Sequence, residues 1–118
     1  MQINGVELYL DYGSISFTEK IESAIREIQN RMEDVTRFET ESEGQKKFVQ
    51  EIHRFIDNVW GDGMYEKLGL DPDRFADHAD IFADIMDESY RQRTEIQNQI
   101  QKRTAKYSPN RAQRRAKK

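Results

Sequence analysis

Apolar residues recur every three or four positions along most of this chain, which is the spacing of one face of an α-helix. The first apolar stripe consists of Phe17, Ile21, Ile25, Ile28, Met32 and Val35. The second consists of Phe48, Ile52, Phe55, Ile56 and Val59, with Trp60 at its end. The third and longest consists of Phe75, Ala79, Phe82, Ile85, Met86, Ser89, Tyr90, Ile96 and Ile100. This pattern predicts three main helices that share one core.

Capping and breaking residues indicate where these helices begin and end. Ser16, with a glutamate three positions later, fits a capping box, which satisfies the first free amides of a helix. The polar stretch 39–44 predicts a loop before the second helix, and the glycines in 61–63 predict its end. Asp71 suits the N-cap of the third helix, and Pro72 suits its first position because no amide hydrogen is needed there.

The first residues follow a different period. From Val6 to Tyr12 every second residue is apolar, as in a half-buried strand. Asn4 and Gly5 form a strong turn pair because both residues tolerate positive φ angles. We expect either a small hairpin or a single strand over residues 6–11, packed on the helical body.

The charged residues are divided unevenly between the body of the chain and its end. All 22 acids and 11 of the 19 bases lie in residues 1–95, which therefore carry −11. Residues 96–118 hold the other eight bases and no acid. Such a block is typical of a flexible interaction tail on an oppositely charged body. We expect a mainly all-α, three-helix domain over residues 1–105, with its β element in 1–12, and a disordered basic tail over 106–118.

Length and composition exclude several classes of protein. A chain of 118 residues has the size of one small domain. No apolar run approaches the roughly 20 residues of a membrane span, and the N-terminus lacks the features of a signal peptide. The chain has no cysteine, so disulfides and thiolate metal sites are excluded. We expect an intracellular protein without a membrane partner.

The sequence contains no recognisable catalytic or cofactor motif. His53 and His78 have acids nearby but no HExxH spacing, so we expect solvated histidines rather than metal ligands. Asp71 and Asp73 begin like a calcium loop, but Ala76 stands where that loop needs glycine. No nucleophile elbow, P-loop or dinucleotide-binding glycine motif is present. We expect no enzyme activity, no catalytic residue, no cofactor and no metal.

Two features of the third predicted helix bear on partner binding. Aspartates three and four positions apart line one of its faces, namely Asp77, Asp80, Asp84 and Asp87. This row fits a solvated surface, or a docking surface for a basic partner such as the chain's own tail. The apolar stripe also extends past the expected length of the other helices, at Ile96 and Ile100. That excess indicates either a frayed helix end or apolar surface reserved for another chain.

Both ends of the chain resemble one known family. The ending SPNRAQRRAKK at 108–118 resembles the NRxQRR-type ending of tail assembly chaperones of long-tailed, siphophage-type bacteriophages. The segment ING at 3–5, followed by a short strand and the pattern FxxKIE at 17–22, is similar to small members of that group from phages of Gram-positive bacteria.

The resemblance implies a binding role without catalysis, in the host bacterial cytoplasm. Members of the family coat the long tape measure protein during tail assembly and are absent from the finished virion. A longer frameshifted form recruits the tail tube protein, and further copies of the chain are also expected partners. The partner-binding residues expected on this basis are Ile96, Ile100, Asn110, Arg111, Gln113, Arg114 and Arg115.

Two other functions stay open at this point. A capsid scaffolding protein also uses a basic helical end to grip an acidic coat surface. A nucleic-acid-binding regulator could neutralise phosphates with the basic tail, and its binding would fall steeply with salt. The single aromatic residue of the tail, Tyr107, and the acidic body disfavour nucleic acid.

Overall fold

The structure is a computed structural model that describes residues 1–33 and 40–105. Its elements, in chain order, are β1 (Gln2–Ile3), β2 (Val6–Glu7), α1 (Ile15–Met32), α2 (Glu41–Trp60), α3 (Met64–Lys67) and α4 (Phe75–Ala105). The prediction of a mainly helical fold with a short N-terminal hairpin is therefore confirmed. Val35, the last residue of the first apolar stripe, and the predicted tail over 106–118 lie outside the described residues.

The N-terminal β element is the hairpin rather than the single strand. Asn4 and Gly5 have φ angles of 50° and 80°, which allow a two-residue turn between β1 and β2. The strands pair antiparallel over two residues each, so the alternative of a strand over residues 6–11 is wrong. Leu8 and Leu10 are nevertheless buried. Their alternation thus reflects packing onto the helices, not strand pairing.

Helix α2 lies at the centre of the fold, because α1, α3 and α4 all contact it. The fully buried apolar side chains are Leu8, Ile21, Ile52, Ile56, Leu68 and Ile85. Each such side chain contributes about 1.5–3 kcal/mol when it is removed from water. Between α2 and α4, the Phe82 ring packs edge-on against Phe48 and Phe55, with centroids 6.2 and 5.6 Å apart. The hairpin and α1 contribute Ile3, Ile21 and Ile28 to the same core.

Two predicted helix starts are wrong because a neighbouring residue provides the cap. Helix α1 begins after Ser14, whose Oγ accepts a hydrogen bond of 3.3 Å from a backbone amide, so Ser16 is not the cap. Helix α2 begins after Thr40, whose hydroxyl accepts a backbone hydrogen bond of 3.3 Å. The predicted loop over 39–44 is therefore helical from residue 41 onward.

The start of α4, by contrast, is later than predicted. The helix begins at Phe75, not at Pro72. The Asp71 side chain accepts a hydrogen bond of 2.9 Å from the Asp73 amide, and its carbonyl accepts one of 2.9 Å from the Arg74 amide. Asp71 therefore stabilises a tight turn that precedes the helix instead of capping the helix itself.

Candidate functional site

Helix α4 continues well past the hydrophobic core. Its last buried residue is Ser89, and residues 90–105, which we call the overhang, extend about 24 Å further along the helix. Ile96 is half-buried and Ile100 is 56% exposed. Along α4, Ile85, Ser89, Ile96 and Ile100 are separated by four, seven and four residues in turn. Ile96 and Ile100 therefore continue the face that α4 buries in the core. The structure thus places both predicted partner-binding isoleucines beyond the core.

A groove separates the overhang from the N-terminal end of α1. It has a volume of about 200 Å³ and is lined by Tyr12, Thr18, Arg93, Ile96 and Gln97. The guanidinium carbon of Arg93 lies 5.7 Å from the centroid of the Tyr12 ring, which is a cation–π distance. The Arg93 Nε also donates a hydrogen bond of 3.3 Å to a carbonyl oxygen one turn earlier in α4. The groove therefore combines apolar surface with a held positive charge.

The side of the overhang away from the groove carries an internal ion-pair network. Arg91 donates hydrogen bonds to the carboxylates of Glu88 and Glu95. Together with a second bond from Gln92, the hydrogen bond from Arg91 lowers the pKa of Glu88 to about 2. The same pairing raises the pKa of Arg91. The positive charge of Arg91 is thus balanced by carboxylates of its own helix.

Other bases of the overhang have no acid beside them. In the part of the chain that the structure describes, Arg93, Lys102 and Arg103 form no ion pair. Arg93 lies three residues before Ile96, and Arg103 lies three residues after Ile100, so all four share one helix face. Lys102 lies on another face. The groove side of the overhang therefore presents two isoleucines between two unpaired arginines.

The aspartate row on α4 is exposed to solvent. Its members Asp77, Asp80, Asp84 and Asp87 are all exposed. One of them, Asp77, lies 3.5 Å from the Arg74 guanidinium. Within residues 1–33 and 40–105, no group of three or more histidines, aspartates or glutamates is arranged to hold a metal ion.

The prediction of a solvated His78 is wrong, because the structure buries it completely. Its Nε2 lies 2.6 Å from the Tyr65 hydroxyl, and its Nδ1 lies 2.8 Å from the Arg74 carbonyl oxygen. A carbonyl oxygen only accepts hydrogen bonds, so Nδ1 donates to it; in a neutral imidazole Nε2 then accepts from the tyrosine hydroxyl. Burial, with a smaller effect from Asp71, raises the pKa of Tyr65. The contact between Tyr65 and His78 joins α3 to α4.

The other histidine belongs to the same cluster. His53 is half-buried and stacks on the Tyr65 ring, with centroids 4.2 Å apart. Its Nε2 lies 3.2 Å from Asp57, whose second oxygen accepts a hydrogen bond of 3.0 Å from the Tyr65 amide. Because Tyr65 contacts His53 and Asp57 of α2 as well as His78 of α4, we interpret the cluster as a structural link between α2, α3 and α4.

A buried carboxylate on α2 has no counterpart in the sequence predictions. Glu51 is only 2% exposed. Lys47, Arg31 and Arg54 bring cationic nitrogens to 3.0, 3.5 and 3.7 Å from its oxygens. The only indication of this cluster in the sequence is that Glu51 stands among the apolar residues of the second stripe. Since its partners come from both α1 and α2, the cluster ties these helices together.

The remaining predicted site residues belong to the basic tail. Asn110, Arg111, Gln113, Arg114 and Arg115 lie outside the described residues. Among the helices of residues 1–33 and 40–105, none combines the length and the apolar character needed to cross a membrane.

The fold is a small, charged helical body, and its candidate site is the groove beside the overhang. The chain belongs to a protein family of unknown function (DUF6673), whose sequence pattern matches residues 4–118. No curated protein and no solved structure matches it.

Proposed function

We propose that this protein is a tail assembly chaperone of a long-tailed bacteriophage. In this proposal it binds and solubilises the tape measure protein in the host bacterial cytoplasm and is not retained in the virion. The resemblance of both chain ends to that family supports the proposal. The observation that carries it is the overhang, where Ile96 and Ile100 continue the core face of α4 without a covering element among the described residues.

An assembly chaperone needs an apolar surface for its client and a charged exterior that keeps the complex dissolved. The overhang offers the first, because a client helix can lie along it and extend the helical packing of the body. The body offers the second, with a charge of −11 over residues 1–95. Several copies along one long client would act together, so each contact can be weak.

The proposal includes further partners and excludes others. The tail tube protein would be recruited through a longer frameshifted form, and copies of the chain would meet on the client. The protein would act by binding alone, without catalysis, a cofactor or a membrane.

Co-expression with the tape measure protein of the same genome tests the proposal. The client carries the affinity tag and is produced alone or with this chain, and the soluble client and co-eluting chain are measured. We expect the client to become soluble and to retain the chain. A client that stays insoluble, or dissolves without retaining the chain, would refute the proposal.

A pair of substitutions tests whether the overhang is responsible. Ile100→Asp places a carboxylate on the binding face, whereas Asn98→Asp places the same group on another face of the same turn. Losing the apolar contact should weaken each client contact by about 2 kcal/mol, so Ile100→Asp should reduce the retained chain. Asn98→Asp should leave it unchanged. Equal effects of the two substitutions would contradict a role for this face.

A further inference from the structure

The groove side of the overhang has a defined chemical composition. Its residues are spaced three, four and three positions apart, namely Arg93, Ile96, Ile100 and Arg103. The only acid in residues 90–105 is Glu95, which is bonded to Arg91 away from this face. A partner on this face therefore meets apolar surface and positive charge, and no negative charge from the overhang.

The end of α1 adds to the same surface. Tyr12 and Thr18 form the far wall of the groove. Ile15 lies one turn before Thr18 on α1 and is 78% exposed. A partner helix lying along the overhang would contact this wall near one end. The wall therefore limits where the apolar residues of the partner can lie.

We propose that this surface binds an amphipathic helix whose apolar residues are bordered by aspartate or glutamate. The apolar residues would enter the groove and cover Ile96 and Ile100, and the carboxylates would pair with Arg93 and Arg103. Arginine suits this role because its planar guanidinium binds a carboxylate through two parallel hydrogen bonds. A basic helix would instead bring like charges together. Identifying the bound helix as part of the tape measure protein rests on the proposed function, whereas its chemistry follows from the surface.

The dimensions of the surface fit a short helix. Residues 93–103 span about 15 Å along α4, or close to three turns. A partner of about 14 residues with apolar positions three and four apart would cover this length.

The helix dipole accounts for only one of the two arginines. It favours bases in the last turn of a helix, where Arg103 lies, whereas Arg93 lies about three turns before the end of α4. A symmetric pairing of two overhangs would bring Arg93 and Arg103 of one copy against those of the other. An acidic partner from outside the overhang would give Arg93 a carboxylate to bind and would avoid the repulsion between like charges.

The first test measures the charge preference with the full-length chain. Three labelled peptides share one length: apolar residues bordered by glutamate, the same apolar residues bordered by lysine, and glutamates with alanine in place of the apolar residues. Binding is followed by fluorescence anisotropy at about 100 mM salt, where charges within about 10 Å still interact. We expect the first peptide to bind about tenfold more tightly than either other peptide. Equal binding of the lysine peptide would overturn the proposal.

Two neighbouring bases provide a matched pair of variants. Arg103→Glu and Lys102→Glu change the net charge equally, but only Arg103 lies on the binding face. We expect Arg103→Glu to weaken binding of the acidic peptide about fivefold, and Lys102→Glu to weaken it less than about twofold. Unchanged circular dichroism spectra would confirm that both variants fold. Equal losses would mean that only net charge matters, and would overturn the proposal.

Two further measurements separate competing explanations. Sedimentation that reveals a dimer dissociated by Arg103→Glu would make a second copy the occupant, and would overturn the proposal. If the tape measure protein is retained equally by Arg103→Glu and the unchanged chain, the chaperone function stands and the acidic partner is refuted. If the acidic peptide binds as expected but the tape measure protein does not, the surface stands and the chaperone function is refuted.

Discussion

Replacing Tyr65 by phenylalanine tests the buried hydrogen bond between α3 and α4. The substitution keeps the aromatic ring and removes the hydroxyl that lies 2.6 Å from Nε2 of His78. Because His78 is fully buried, its Nε2 would then lack a donor and could not bond to solvent. A buried acceptor left unpaired costs about 1–3 kcal/mol, so the free energy of unfolding should fall by that amount.

Urea unfolding followed by circular dichroism at neutral pH measures this loss directly. Tyr90→Phe is the matched control, since Tyr90 is 69% exposed on α4 and its change should stay within about 0.5 kcal/mol. Adding His78→Leu to Tyr65→Phe should cost less than the two single losses combined, because each single change strands the other partner. A loss below about 0.5 kcal/mol for Tyr65→Phe, or fully additive losses, would refute the inferred hydrogen bond.

The remaining predictions concern two carboxylates. Glu51→Gln removes the buried charge that three bases surround, and the free energy of unfolding in urea should fall by about 2 kcal/mol; no change would mean that these ion pairs contribute nothing. Glu88 has a folded pKa of about 2, below its usual 4.5, so its stabilising effect is present above pH 4.5 and lost as the pH falls towards 2. The melting temperature of Glu88→Gln should therefore lie below that of the unchanged chain at pH 6 and match it near pH 2, whereas a constant difference would contradict the assignment.

The helical fold could be predicted because the burial of apolar stripes, which contributes most to its stability, follows directly from residue spacing. Helix starts were less predictable, because serine occurs at both 14 and 16. Only the preceding turn selects Ser14, where the carbonyl of Asp11 accepts a hydrogen bond of 3.0 Å from the Ser14 amide. The spacing of residue types in the sequence does not reveal the geometry of that turn.

The candidate site was partly predictable for the same reason. The sequence indicates Ile96 and Ile100 because the third apolar stripe is longer than the other two, and in the structure both residues lie beyond the core. The groove could not be predicted, because Tyr12 and Arg93 meet only through the packing of the whole body. The prediction for His78 is wrong because it relied on the acids beside it in the sequence, which indicated a solvated position. The seven-residue spacing from Ile85 instead places His78 on the buried face of α4.

One unbroken helix belongs to both the core and the overhang. An isolated helix of the length of residues 90–105 would be only marginally stable in water, because its first turn fixes several residues for a single hydrogen bond. Here the buried half of α4 has already formed those first turns, so the core serves as the nucleus from which the overhang propagates. The overhang then meets a partner as a pre-formed helix, and little conformational entropy remains to be lost when Ile96 and Ile100 are covered.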